Sequence, residues 1–195
     1  LGTKWNLLDQ KLFATAALFK SVNKNELVRD DVNTYVPVGE KTVKGLELGL
    51  VGMPLEHLEI SAGLALLDPK ITRGARYATS PTDGAVIQWT PKTTFTLWGT
   101  YTLEKLKLGG GARYVSEQKR VVTAGTALNV SNMPKIPSYW VTDLMAAYKV
   151  NRNVNLRLNI YNLFDKEYIS TLNNNGARMV LGAPRSASLT AEFLF

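Results

Sequence analysis

Residues 185–195 read RSASLTAEFLF, and two lists separate when alternate positions are taken. Ala187, Leu189, Ala191, Phe193 and Phe195 are apolar; Ser186, Ser188, Thr190 and Glu192 are polar, with Leu194 the exception. Period two marks a strand whose two faces meet different surroundings. The chain stops on this strand, with an aromatic as its last residue.

The alternation recurs along most of the sequence. Val154, Leu156, Leu158 and Ile160 stand against Asn155, Arg157, Asn159 and Tyr161. Phe95, Leu97, Tyr101 and Leu103, with Gly99 between them, stand against Thr94, Thr96, Trp98, Thr100 and Thr102. Leu106, Leu108, Ala112 and Tyr114 oppose Lys107, Gly109, Gly111 and Arg113. Leu58, Ile60, Ala62, Leu64 and Leu66 oppose Glu59, Ser61 and Gly63, and Leu144, Ala146 and Tyr148 oppose Asp143 and Lys149. Leu46, Leu48 and Leu50 are read against Lys44 and Glu47.

The bulk numbers fit this pattern. The 195 residues are 45% hydrophobic and 20% charged, with mean hydropathy near zero. An apolar run of about 20 residues is missing, which excludes a transmembrane helix but not a barrel of alternating strands. Without cysteine there is no disulfide or thiolate metal site. The net charge of +7 is spread through loops and strands rather than gathered in a run, which argues against a nucleic-acid tail. The opening LGTKWNLLDQ carries neither Met nor a signal peptide, and reads as a start inside something longer.

The connections choose the architecture. Short turns near Asp9-Gln10, Met53 to Glu56, Glu104-Lys105 and Asn151 to Asn153 alternate with long polar stretches: 23–40, 68–91, 117–137 and 165–184. Outer-membrane barrels have short periplasmic turns and long outer loops, whereas a soluble sandwich has no reason to put every long loop at one end. The runs are about 10 residues each, the length a tilted strand needs to cross a bilayer. Aromatics fall near run ends: Trp5, Trp89, Trp98, Tyr101, Tyr114, Tyr139, Trp140, Tyr148 and Phe195. Amphipathic rings favour the membrane interface. Nine strands are expected, near 1–7, 11–22, 42–52, 57–67, 92–103, 106–117, 138–150, 154–164 and 185–195. Bacterial single-chain barrels have even counts, so an odd count points to part of a larger wall. In a closed barrel the last strand pairs on both sides, leaving no edge exposed to lipid.

Several stretches carry a family resemblance: LGTKWNLLDQKLFATAALF at the start, VGEKTVKGLELGL at 38–50, TPKTTFTLWGTYTL at 90–103, GGGARYV at 109–115, IYNLFDKEY at 160–168 and GAPRSASLTAEFLF at 182–195. Each is weak alone. In this order they resemble the C-terminal end of TonB-dependent outer-membrane receptors, ferric-siderophore receptors above all. The terminal Phe resembles the signal by which outer-membrane barrels are recognised for insertion. The resemblance implies an all-β fold, an antiparallel transmembrane barrel of 22 strands, of which residues 1–195 supply the C-terminal nine. It also implies an N-terminal plug domain and a TonB box, neither within this chain. The implied function is TonB-driven import of a ferric siderophore across the bacterial outer membrane, catecholate type favoured. The implied partners are the siderophore, lipopolysaccharide and membrane lipid, the plug and TonB. The siderophore is cargo, and no cofactor is implied.

Catalytic and metal-binding candidates are thin. His57, in the turn PLEHLE, and Asp30-Asp31, in a polar loop, both read as solvated. Gly109-Gly110-Gly111 has no following Lys-Ser/Thr and reads as a strand with small lumen residues. Binding is better supplied. A ferric catecholate is anionic and aromatic, so cations and ring planes suit it. The loop candidates are Arg73, Arg76, Tyr77, Trp89, Lys119, Arg120 and Arg178. Singly, each is also accounted for by lipopolysaccharide phosphate or water. The charges read as lumen-facing, Lys44, Glu47, Lys107, Arg113, Asp143, Arg157 and Glu192, are assigned to plug contacts or to each other. On the lipid side a Lys or Arg would cost about 2–4 kcal/mol at mid-bilayer. The rival readings are a passive porin, distinguishable by an open conductance, an outer-membrane lipase or protease, and a soluble β-protein.

Overall fold

Each alternating run becomes a strand of one antiparallel sheet. The computed structural model describes residues 1–31, 33–75, 82–120 and 132–195. Its strands are β1 (Gly2–Leu7), β2 (Leu12–Arg29), β3 (Tyr35–Leu55), β4 (Leu58–Arg73), β5 (Thr93–Leu103), β6 (Leu106–Val115), β7 (Gln118–Lys119), β8 (Lys135–Ile136), β9 (Tyr139–Lys149), β10 (Val154–Tyr161), β11 (Ile169–Leu172), β12 (Met179–Leu181) and β13 (Ser186–Phe193). The main sheet has nine strands in the order β1-β2-β3-β4-β5-β6-β9-β10-β13, and β7–β8 and β11–β12 are separate two-stranded ribbons. All pairings in the main sheet are antiparallel.

The register sorts the side chains as the alternation requires. Leu158 lies across from Ala146 and Leu189, Leu64 from Leu48 and Phe95, and Leu108 from Tyr101 and Ala146. This face is not covered by a second layer: Leu189 is 73% and Phe193 59% exposed. A two-layer soluble core would bury such residues. Here the bilayer takes the place of the missing layer, which makes the exposed apolar face stabilising rather than costly. Phe95, Tyr114 and Trp140 cluster on the outer face, with ring centroids 5.9 Å (Phe95–Trp140) and 4.9 Å (Tyr114–Trp140) apart. Toward the short-turn end, Trp5, Tyr101 and Tyr148 occupy the same face.

The opposite face is polar and internally paired. The Lys107 ammonium lies 2.8 Å from a Glu59 carboxylate oxygen, which also accepts the Thr100 hydroxyl at 3.0 Å. Arg113 meets Asp143 at 3.4 Å, and the Asn155 amide donates to Glu192 at 3.1 Å. Trp98 also lies on this face, opposite Ser61 and Gly111. It is therefore not an interface ring. Tyr139 likewise sits on the lumen side of β9, and Trp89 lies in a loop.

Three further expectations change. Lys44 does not share the lumen face with Glu47: the unbroken register pairs it with Lys20 and Asp68, on the face of Leu18, Leu46 and Leu66. It is an even-numbered position among even-numbered leucines, and a strand without a bulge cannot turn it inward. The stretch 23–40 is mostly not loop, because β2 and β3 continue to Arg29 and from Tyr35. Beyond the bilayer both faces meet water, so strand persists without apolar alternation. The second turn falls at Glu56-His57, later than read, with His57 at φ 65°. Among the described residues β1 and β13 each pair on one side only, so the sheet they bound is a wall segment rather than a closed barrel.

Candidate functional site

The long connections gather at one end of the wall and fold over its lumen face. The buried hydrophobics among the described residues are Ile71, Ile136, Val141 and Leu172. All four lie toward that end, where loops cover what the sheet alone would leave open.

Three loops are tied together there. The Trp89 backbone N–H donates to the Lys119 carbonyl at 2.9 Å. The Arg120 guanidinium donates to the Asn175 carbonyl at 2.6 Å, and its backbone N–H to Pro134 at 3.0 Å. The Gln88 amide donates to the Asn174 carbonyl, and Met133 N–H to Gly176 at 3.0 Å. Gly176 needs its φ of 74°, and a side chain there would collide with the Met133 carbonyl. Glu117 bridges Lys135 at 2.6 Å and Lys119 at 3.5 Å. The Lys135 hydrogen bond, with the charges of Lys135 and Lys119, holds the Glu117 carboxyl below its usual range.

Beneath this junction the motif IYNLFDKEY does its work through Asn162. Asn162 is buried and has φ 49°. Its N–H donates to an Asp143 carboxylate oxygen at 2.8 Å, its amide donates to the Lys166 and Ala183 carbonyls at 3.0 Å, and its side-chain oxygen accepts Lys166 N–H at 2.9 Å. Asp165 accepts the Arg185 N–H at 2.8 Å and anchors the start of β13. Asparagine tolerates the left-handed region and bonds its own backbone, so it can reverse the chain in the lumen. The reversal brings Tyr168 onto Tyr139, centroids 4.3 Å apart and 31° between planes. Arg113, already on Asp143, also donates to the Tyr168 hydroxyl at 3.4 Å. A cavity of about 450 Å³ opens here, lined by Met133, Tyr139, Lys166, Tyr168, Met179 and Leu181 among others. A larger hollow of about 630 Å³, lined by Trp98, Lys107, Glu59 and Arg157, is the concave wall deeper in the lumen. The smaller cavity has the composition of a binding site: aromatic planes, thioethers and a nearby guanidinium.

The sequence-derived candidates divide accordingly. Trp89, Lys119 and Arg120 come together at the junction, and Arg178 lies on its exposed β11–β12 turn with Asn173 accepting its backbone N–H at 3.0 Å. Arg120 is already committed to holding loops together, whereas the Arg178 side chain has no partner among the described residues. Arg73 ends β4 opposite Glu40 and belongs to the sheet rather than a loop. Arg76 and Tyr77 lie outside the described residues. Trp89 is at φ 53°, rare for a bulky residue, and its indole N–H is buried without an acceptor among the described residues. Arg113, Tyr139 and Tyr168 were not among the binding candidates. The usable signal was the pair of tyrosines beside the IYNLFDKEY turn and at the start of β9. His57 makes an edge contact with Tyr101 at 6.4 Å in the far turn, and Asp30-Asp31 cap the β2–β3 hairpin, where Arg29 Nε donates to the Asp31 carbonyl at 3.1 Å.

A family model described as TonB dependent receptor-like, beta-barrel, matches residues 1–163. The chain is similar to the catecholate siderophore receptor Fiu of Escherichia coli K12, 35% identical over 196 residues that cover 100% of this chain and 25% of Fiu. The crystal structure of Fiu in its closed form superposes with a TM-score of 0.84 at 34% identity, over 100% of this chain and 27% of that one. The siderophore receptor PiuA of Acinetobacter baumannii superposes with a TM-score of 0.84 at 38% identity, over 98% of this chain and 27% of that one. The chain thus spans about a quarter of the length of the curated relatives it matches.

Proposed function

The chain belongs to the TonB-dependent receptor β-barrel family, an outer-membrane family, and from that premise we propose that residues 1–195 form the C-terminal part of the barrel of a longer receptor that imports a ferric siderophore, catecholate type favoured. The Tyr139–Tyr168 stack beside Arg113 carries this reading. A ferric catecholate presents flat rings and net negative charge. Ring planes, methionines and a guanidinium fork complement both. Arg178, Lys119 and Trp89 are assigned to first capture at the mouth. The relatives are transport receptors, and no bond is made or broken by this chain in the proposed role. Energy coupling through TonB and gating by a plug belong to other parts of such a receptor. The lumen charges Glu47 and Arg157, which have no ion-pair partner among the described residues, are assigned to plug contact.

The test is a titration of the intact receptor with a ferric tris-catecholate and with a ferric tris-hydroxamate. Tighter catecholate binding, weakened when Tyr168 or Arg113 is replaced, is expected. A hydroxamate preference would overturn the ligand class, and uptake that ignores removal of TonB would overturn energised import.

A further inference from the structure

The Asn162 turn brings two phenols face to face. The Tyr139 and Tyr168 rings have centroids 4.3 Å apart with 31° between their planes. No other two tyrosines among the described residues are in ring contact. Tyr168 is also held from its other sides. Its ring lies against Gly182, where a Cβ would collide with the ring itself. The Gly182 N–H donates to the Tyr168 carbonyl at 2.8 Å, and Arg113 donates to the phenol oxygen at 3.4 Å. These contacts keep the Tyr168 ring over its neighbour. Both rings are half-buried, and both line the cavity of about 450 Å³ at the loop junction, which a small oxidant can enter.

Two phenoxyl radicals couple when they meet, and groups already held in contact need no encounter. We infer that Tyr139 and Tyr168 are a site of oxidative modification, joined ortho carbon to ortho carbon as dityrosine by a one-electron oxidant derived from hydrogen peroxide. Each phenol gives up one electron and one proton. The two radicals form a carbon–carbon bond, and the two ortho hydrogens return to the oxygens as the rings regain aromaticity. One hydrogen peroxide, cleaved at a haem, takes both electrons and both protons and leaves as two waters. The new bond closes the chain between residues 139 and 168 into a loop and pins the Asn162 turn to the start of β9. Such a link restricts the unfolded chain and so stabilises the folded one. The inference rests on the ring geometry and not on what the receptor imports.

The test exposes the intact receptor in detergent to hydrogen peroxide and a small haem peptide. Peptide mass spectrometry should find the Tyr139 and Tyr168 segments joined within one monomer and lighter by two hydrogens. Blue dityrosine fluorescence and a raised urea midpoint should accompany the link. All three signals should be lost in Tyr139→Phe and in Tyr168→Phe, which keep both rings, and should persist in Tyr114→Phe on the outer face. Heat-modifiable gel mobility reports folding; if a Phe variant fails to fold, the joined peptide of the parent receptor still decides. Met133 and Met179 line the same cavity, so their sulfoxides report that oxidant has arrived. Sulfoxide at either methionine with the tyrosines unjoined would overturn the proposal, as would a link found only between monomers or undiminished fluorescence in folded Phe variants. A cross-linked pair in a receptor that binds no ferric chelate would leave this site standing and sink the ligand reading instead.

Discussion

The indole of Trp98 lies over Gly111: a Cβ on that glycine would come within 2.6 Å of the ring. One on Gly109 would stand 3.1 Å from the same indole and from the Met145 methyl. Gly111 has no room for a side chain because the Leu97 carbonyl and the Trp98 indole of the neighbouring strand both crowd it, and Gly109 is hemmed in by Thr100, Met145 and the same indole. Gly111→Val should destabilise the folded barrel by about 1–3 kcal/mol, the usual cost of overpacking. The urea midpoint of heat-modifiable mobility in the intact receptor measures it, and an unchanged midpoint would refute the contact.

Asn162 holds the turn that delivers Tyr168. Asn162→Ala removes a buried amide with three side-chain hydrogen bonds and leaves their partners unsatisfied. A loss of about 2–3 kcal/mol is expected. Asn162→Gly keeps the left-handed backbone open but restores none of the bonds, so it should rescue only part. Equal stability of all three proteins in urea would remove the role assigned to the motif.

At the aromatic pair, Tyr168→Phe should bind ferric catecholate nearly as well as the parent receptor. Tyr168→Ala should lose up to about tenfold, from about 0.5–1.5 kcal/mol of ring interaction. Arg113→Lys should fare worse than charge conservation suggests, since an ammonium cannot serve Asp143 and Tyr168 with one planar fork. Calorimetric titration distinguishes these outcomes.

Arg120 and Arg178 should differ in kind. Arg178→Ala removes an uncommitted cation at the mouth, so it should slow association and flatten its salt dependence with little effect on dissociation. Arg120→Ala cuts the tie to Asn175, so it should raise amide exchange in residues 173–178. If stopped-flow association showed Arg120→Ala to be the stronger electrostatic variant, the assignment would be reversed.

Glu117 gives the junction a pH dependence of known sign. Its carboxyl is held below the ordinary value of 4.5 by Lys135 and, to a lesser degree, Lys119. A depressed carboxyl stabilises the folded junction at pH above the unfolded value, and that contribution fades as pH falls through the folded one. Amide protection at Gln118 and Lys119 should therefore fall below about pH 4.5, and Glu117→Gln should abolish the change. The group is exposed, so the effect should be small and weakened by salt. Protection that rises on acidification would contradict the bridge.

Much of the wall was legible because a strand repeats every two residues and lipid and lumen ask for opposite chemistry. Leu156, Leu158 and Leu189 declared their face without coordinates, and so did Arg113 and Asp143. Lys44 escapes that logic: a charge by itself suggests the wet face, but its parity is that of Leu46 and turns it outward. The polar stretch 23–40 hides its strands, because strand outside the bilayer meets water on both faces and loses its alternation. Loop position, charge and ring planes single out the binding candidates, and none of these properties tells Arg120, committed to Asn175, from Arg178, whose side chain has no partner among the described residues.

The sequence by itself determined that this chain is a two-faced antiparallel wall with its long connections at one end, because the bilayer imposes period and length on every strand locally. Only the tertiary structure decided which of those connections meet. Tyr168 reaches Tyr139, Arg120 reaches Asn175 and Lys20 faces Lys44 through strand register and one left-handed asparagine turn. Those contacts join residues far apart in the chain, and no short-range pattern records them.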